Sequence, residues 1–210
     1  MKEICRFCEI IKGNIGGEEN SPIQESNNYF SLSSIGAFVE GWVLIVPKKH
    51  IISMKELYDK KEFVDFTNHV LNVMKLHYSG PFIIFEHGPS KCGSSTSCGT
   101  NHAHLHLVPY PYSLYKDMQS TGLTWESCKA TQISSMAGNN EYLFYSEIFA
   151  NPTWEDPKGY IHILKNPISQ YFRKLIASQL NCPDEFDYKK YARIDLAIKT
   201  NYVLTKNMTY

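Results

Sequence analysis

The sequence predicts an α+β fold, and three observations carry that prediction. Short strand-like runs separated by turns fill residues 23–46, a helical period takes over across 55–77, and strand-like runs return near 82–85 and 102–108. Tyr29–Leu32 is the first strand candidate, and Trp42–Val46, stopped by Pro47, is the second. Phe63, Phe66, Val70, then Val73 or Met74, and His77 recur every three or four positions, the mark of an amphipathic helix that Gly80-Pro81 ends. Phe82–Phe85 resumes as a strand apolar on both faces. A loop of small residues from Gly88 to Thr100 leads into a strand from His102 to Val108, closed by Pro109 and Pro111. Strands in hairpin-like succession with one long helix imply a sheet with helix cover.

The second half of the chain is less regular. Residues 142–149 and 159–164 read as two further strands, and 170–180 and 188–204 as helices. Between Pro111 and Pro157 the sequence is aromatic and polar, without a clear period. A boundary near residue 111 is expected, with the chemistry in 1–110 and a mixed α/β C-terminal extension, 111–210, packed on it.

Composition narrows the function. Of 210 residues 43% are apolar and 20% charged, ordinary for a globular protein and inconsistent with wholesale disorder. Lys and Arg balance Asp and Glu at 21 each, so no global field argues for nucleic acid or a membrane surface. Apolar runs such as Val43–Val46 and Phe82–Phe85 are far short of a bilayer span. The opening Met1-Lys2-Glu3-Ile4-Cys5 lacks the apolar stretch of a secretory signal. Six cysteines in that setting read as thiols or metal ligands in a reducing, cytoplasmic-type compartment, not as a disulfide framework.

The sharpest motif is Asn101-His102-Ala103-His104-Leu105-His106-Leu107-Val108-Pro109. In a strand, alternation puts His102, His104 and His106 on one face and Ala103, Leu105 and Leu107 on the other. The rings would then stand about 6.5–7 Å apart. Three imidazoles make a poor packed face, because each needs polar partners. Neutral imidazole is a nucleophile and a metal ligand, so the row points to a catalytic or metal-binding face rather than to three incidental surface histidines.

The second motif is Cys5-Arg6-Phe7-Cys8, whose turn can offer two thiolates to one tetrahedral Zn²⁺. Alone it is a half-site, and a chance pair of cysteines explains it equally well. The missing ligands would be histidines or cysteines elsewhere. His50, after the Pro47-Lys48-Lys49 turn, and His102 are candidates; Cys92 and Cys98 offer a rival four-cysteine set, at a looser spacing than usual. Cys128 and Cys182 read as small buried hydrophobes or inert thiols.

Taken together, three segments resemble the histidine triad (HIT) superfamily. His102–Val108 is similar to its alternating His-apolar signature, Cys5–Gly13 to the amino-terminal zinc half-site of bacterial members, and Gly41–Ile51 to its strand and Pro-Lys-x-His turn. They follow the family's order over residues 1–110, about half the chain. The resemblance implies an antiparallel sheet and attack by His104 on the α-phosphorus of a nucleotide conjugate. A nucleotidyl-imidazole would form and then pass to water or another acceptor. It implies that His106 hydrogen-bonds phosphate oxygens, and that Cys5, Cys8, His50 and His102 hold one structural zinc per chain. It also implies a homodimer, the common assembly of the family.

Departures from the family pattern bear on the substrate. The usual Gly-Gln-Ser stretch is altered to Lys91–Thr100, with Cys98 and Gly99 where Gln and Ser would fall. Gly99 and Thr100 could still present an N–H and a hydroxyl to an anion; a plain flexible loop is the other reading. Ser34 stands where an acidic ribose contact is usual, and Glu86 is either a substrate contact or a solvated strand end. Ser169–Leu180 with Pro183–Asp187 loosely resembles the carboxy-terminal region of splicing-factor-like HIT relatives. From Pro157 onward nine Lys and Arg face four Asp and Glu, with aromatics interleaved. An RNA-like, phosphate-bearing partner is therefore the lesser reading for this half, and a solvated helix face over packed aromatics the greater. Arg173 is the residue best suited there to clamp a phosphate. The expected function is nucleotidyl hydrolysis or transfer, with no membrane partner; a non-catalytic, zinc-stapled module binding RNA or protein is the alternative.

Overall fold

A computed structural model describes residues 4–149 and 153–206. The expectation placed on Met1–Glu3 lies outside the described residues. Strand β1 is Gln24–Glu25, β2 Tyr29–Ser33, β3 Val43–Pro47, β4 Phe82–Gly88 and β5 Leu105–Pro109. The second half adds β6 Glu126–Lys129, β7 Glu141–Ile148 and β8 Lys158–Leu164. All eight join one sheet in the order β1-β2-β3-β5-β4-β7-β8-β6, and every neighbouring pair is antiparallel. The α+β prediction holds. Strands from both halves of the chain therefore hydrogen-bond in a single sheet, with β7 laid along β4 from Phe82↔Ile148 to Gly88↔Tyr142.

Among the described residues six α-helices cover the sheet: α1 Arg6–Ile11, α2 Lys61–Lys75, α3 Tyr115–Ser120, α4 Ile133–Ala137, α5 Tyr171–Gln179 and α6 Ile194–Thr205. Because side chains alternate along each strand, the sheet separates two cores. Val43, Ile45, Ile84, Leu105 and Leu107 face the α2 stripe of Phe63, Phe66, Val70, Leu71 and Met74. Leu44, Val46, Ile83, Phe85 and Val108 face Phe7 of α1 and Phe172, Ile176 and Ala177 of α5. This second face carries His104 and His106.

Two helices are shorter than their periodicity predicts, each for a local reason. Helix α2 starts at Lys61 and not near 55, because the preceding turn is tied down: Met54 N–H donates to Glu86 Oε1 at 2.7 Å, and the Tyr58 hydroxyl donates to Glu86 Oε2. Helix α6 starts at Ile194 and not at 188, because Tyr188–Arg193 docks instead of coiling. Tyr188 donates its hydroxyl to the Cys98 carbonyl at 2.9 Å, the Ala192 carbonyl takes the Gly36 N–H, and Arg193 adopts φ +45°. Gly36 itself sits at φ +73°, where a Cβ would lie 2.5 Å from Tyr188 Cβ. Only glycine permits that approach without strain.

The histidine strand also differs from the prediction: it begins at Leu105, so His102–His104 precede it. Ala103 N–H is captured by the Ile51 carbonyl at 2.7 Å and His102 N–H by the Thr100 carbonyl at 2.8 Å, which bends this stretch out of the ladder. Ala103, Leu105 and Leu107 nevertheless enter the α2 core, as the alternation predicts. Among the described residues, no helix is long and apolar enough to cross a membrane.

Candidate functional site

Cys5 and Cys8 flank Arg6-Phe7, and the turn at Pro47 and the bend before β5 bring His50 and His102 to them. The Cys5 Sγ–His102 Nδ1 separation is 3.3 Å, Cys8 Sγ–His50 Nδ1 is 3.2 Å and Cys8 Sγ–His102 Nδ1 is 3.6 Å. All four donor atoms lie within 4.8 Å of one another. Tetrahedral zinc, with bonds of about 2.3 Å to sulfur and 2.0 Å to nitrogen, sets sulfur and nitrogen roughly 3.5 Å apart. Cys8 is pushed up to about 11, first by desolvation and then by Cys5, so a cation beside it would favour its thiolate. His102 Nε2–H donates to the Pro47 carbonyl at 2.7 Å, which leaves Nδ1 as its free lone pair, facing the thiols. The residues fit such an ion. Among the described residues this donor group includes neither Cys92 nor Cys98. The Cys98 Sγ takes the Gln170 N–H at 3.1 Å, and Cys92 is exposed.

Beside this cluster His104 and His106 share a chamber. Their ring centroids are 4.9 Å apart, closer than a regular strand would hold them, because His104 lies in the bent segment. Phe7 packs edge-on against both His102 and His104, at 5.5 and 5.6 Å, so α1 connects the cysteine pair to the chamber.

Hydrogen bonds fix the two imidazoles in opposite tautomers. His104 Nδ1 lies 2.9 Å from the His102 carbonyl, which can only accept, so Nδ1 carries the proton and Nε2 the lone pair. The Trp42 indole N–H donates to His106 Nδ1 at 2.9 Å, so the proton of neutral His106 is on Nε2. Phe85 stacks on the His106 ring at 4.4 Å. Burial, aided by Arg6, lowers the pKa of His104; burial, with His104, His87 and Arg173 next, drives that of His106 well down. Both rings are neutral near pH 7, His104 presenting a lone pair at Nε2 and His106 an N–H.

The remaining sequence-predicted residues divide. Ser34 and Thr100 line the chamber with His104 and His106. Gly99 lies in an adjoining polar groove of about 380 Å³, lined also by Asn101, Gln170 and Lys189. The two spaces share Cys98. Glu86 is corrected: it alternates to the opposite face of β4, is 1% exposed, and accepts from Met54 N–H, Tyr58 and Tyr142. It neither contacts the chamber nor ends the strand in solvent. Desolvation raises its pKa, and the converging donors partly offset that.

Arg173 does line the chamber, but its fork is largely committed. Nε donates to the Phe186 carbonyl at 3.0 Å and Nη2 to the Gly36 carbonyl, while the guanidinium lies 5.1 Å from the Trp42 and Phe38 ring centres. Burial lowers it to about 10, so it stays cationic at neutral pH. It is a fixed positive wall rather than a bidentate clamp.

Sequence reasoning missed three polar chamber residues, Arg6, His87 and Tyr188. Arg6 sat unremarked inside the C-x-x-C turn. His87 had a usable signal: it lies two residues beyond Phe85, the register partner of His106, and so on the same face. Tyr188 had none, since its place depends on how the second half docks.

No protein-family model matches the chain, and no curated protein matches it. Among solved structures it is similar to SMU.412c from Streptococcus mutans UA159, at 22% identity over 58% of this chain and 86% of that one, TM-score 0.41. A HIT family hydrolase from Clostridium thermocellum is 24% identical over 52% of this chain and 93% of that one, TM-score 0.38. A Zn-bound histidine triad family protein from Mycobacterium smegmatis is 26% identical over 52% and 76%, TM-score 0.36.

Proposed function

We propose that this chain is a zinc-stapled histidine triad protein that cleaves or transfers at the α-phosphate of a nucleotide conjugate, with His104 as the nucleophile. The observation that carries the reading is the pair of complementary tautomers. An in-line attack on phosphorus needs one unprotonated imidazole nitrogen and, nearby, a donor for the charge gathering on the equatorial oxygens. His104 Nε2 and His106 Nε2–H supply these, each set by a bond to a fixed partner.

In the first step the His104 Nε2 lone pair forms a bond to phosphorus. The bond from phosphorus to the leaving group breaks, and its electron pair departs with that group, which takes up a proton from water. In the second step a water oxygen, or an acceptor hydroxyl or phosphate, bonds to phosphorus and gives any proton it carries to bulk water, replacing the one the leaving group took; the N–P bond breaks and its pair returns to Nε2. With water the sum is the addition of H and OH across the cleaved bond. His106 and the guanidinium groups of Arg6 and Arg173 stabilise the negative charge without themselves changing protonation.

Cys5, Cys8, His50 and His102 are the residues that would hold the zinc. Four protein ligands leave no open position, so the metal would serve to anchor the bend that carries His104. The chamber measures about 50 Å³, space for a phosphoryl group and not for a nucleoside, for which sites of about 300 Å³ or more are usual. The polar groove that meets it at Cys98 is the natural seat for the rest of the substrate. In this proposal residues 1–110 carry the chemistry, and 111–210 form an extension that walls the chamber with Arg173 and Tyr188.

The test is a panel of nucleoside phosphoramidates, dinucleoside polyphosphates and nucleotide sugars, incubated with the protein and with His104→Ala and then read by denaturing mass spectrometry. A nucleotidyl adduct on the unaltered protein and none on the variant is the expected result. The narrow chamber is also what a non-catalytic, zinc-stapled RNA- or protein-binding module would have. No turnover on any substrate, together with salt-sensitive RNA binding, would favour that second reading.

A further inference from the structure

We infer that His87 is a third imidazole of the chamber, donating a hydrogen bond to an oxygen of the phosphate seated between His104 and His106. This rests on the reading of the chamber as a phosphate site. Three observations support it.

Position comes first. Phe85 of β4 is the register partner of His106, and His87, two residues on, returns to the same face one step toward His104. Its ring centroid lies 6.4 Å from that of His106, and it lines the cavity with His104 and His106.

Unmet bonding comes second. His87 is 8% exposed, and its Nε2 is buried without a hydrogen-bond partner among the described residues. Its aromatic neighbours are Phe85 and Phe172, at 6.1 and 5.2 Å, and Ile83 precedes it on the same face. A phenylalanine would satisfy this apolar surrounding with no polar atom to orphan. A buried unpaired nitrogen is instead destabilising, the sort of liability that a ligand group relieves.

The character of the chamber comes third. Arg6 and Arg173, their forks held by Asn20 and the Glu19 carbonyl and by the Phe186 and Gly36 carbonyls, bring positive charge, while the Nε2–H of His106 is a donor and Thr100 adds a hydroxyl. The ligand that suits them is an acceptor with several oxygens. Desolvation, then the fields of His104, Arg173 and Lys174, lowers His87 to about 3, so it remains a neutral N–H donor through the physiological range.

The experiment compares the full-length protein with His87→Phe, which keeps ring packing, and His87→Gln, which keeps a donor. Inorganic phosphate is titrated into each, read by imidazole ¹⁵N–¹H correlation spectra and by binding isotherms. The expected result is a shift of the His87 nitrogen resonances on phosphate addition, affinity reduced at least tenfold in His87→Phe, and partial recovery in His87→Gln. Unmoved His87 resonances, equal affinity in His87→Phe, or no phosphate binding by the unaltered protein would overturn the inference. Because none of these readouts needs turnover, failure of the covalent adduct would count against His104 as nucleophile and leave the His87 result standing.

Discussion

The Trp42 indole donates its N–H to Nδ1 of His106 across 2.9 Å, joining residues 64 positions apart, and this one bond decides which His106 nitrogen carries the proton. Trp42 is completely buried just before β3, and its ring lies edge-on to Phe85, so the donor cannot swing away. The bond makes a packing residue the one that sets the His106 tautomer.

Trp42→Phe therefore keeps the aromatic filling and removes the donor. The freed Nδ1 competes for the proton and Nε2–H is no longer enforced. Single-turnover adduct formation is expected to slow at least tenfold with little change in KM, and stability to fall by about 1–3 kcal/mol from the unpaired nitrogen and the lost packing. Stopped reactions followed by mass spectrometry, with urea melts alongside, read both effects.

The metal assignment separates by substitution. Purified protein should hold about one zinc per chain by atomic absorption. His50→Ala or Cys8→Ser should lose it, whereas Cys92→Ala should keep it, since Cys92 lies outside the donor group. A zinc content that falls with Cys92 and not with His50 would overturn the ligand set.

Acid should unfold the protein from the neutral side. The pKa values of His87 and His106 are lowered in the folded state by burial, so between the unfolded value of 6.5 and the folded values the unfolded chain binds more protons. Stability is full above pH 6.5 and is lost as pH falls, for His87 down to about 3, at about 1.4 kcal/mol per pH unit for each proton. Urea melts at pH 7.5, 6, 5 and 4 measure this slope, and His87→Phe should flatten it by one proton's share.

The closure by the second half is tested at Gly36. Its φ of +73° and the 2.5 Å approach of Tyr188 to a hypothetical Cβ make Gly36→Ala doubly strained. A loss of about 1–3 kcal/mol is expected, with faster proteolysis across 186–192 as Tyr188 is pushed off. An unchanged urea midpoint would show that the segment accommodates a methyl group.

Much of this was legible in the sequence, and the parts that were not share a cause. The runs at Tyr29, Val43 and Phe82 and the stripe from Phe63 to Met74 announce their elements, because burial acts on one face or on both at a fixed period. The cysteine pair, His50 and His102 come together in the sequence only through the family resemblance, since spacing alone leaves a chance pair and a four-cysteine set open. Glu86 reads as a substrate contact or a solvated strand end, and His87 escapes notice, because two adjacent polar residues at a strand end look like solvent exposure. In fact β7 covers that edge, and the two alternate into opposite cores. Helices α3 and α4, of six and five residues, are too short to display a period, and β6 buries only Cys128. The bend at His102–His104 comes from backbone bonds to Ile51 and Thr100, which no local pattern records.

The most direct test of the central claim is the mass of the protein after brief exposure to a nucleoside phosphoramidate and quenching in denaturant. The expected mass shows an added nucleotidyl group that maps to His104, disappears with time as water releases it, and never forms on His104→Ala. An adduct of equal yield on His104→Ala, or turnover by that variant at the unaltered rate, would contradict it.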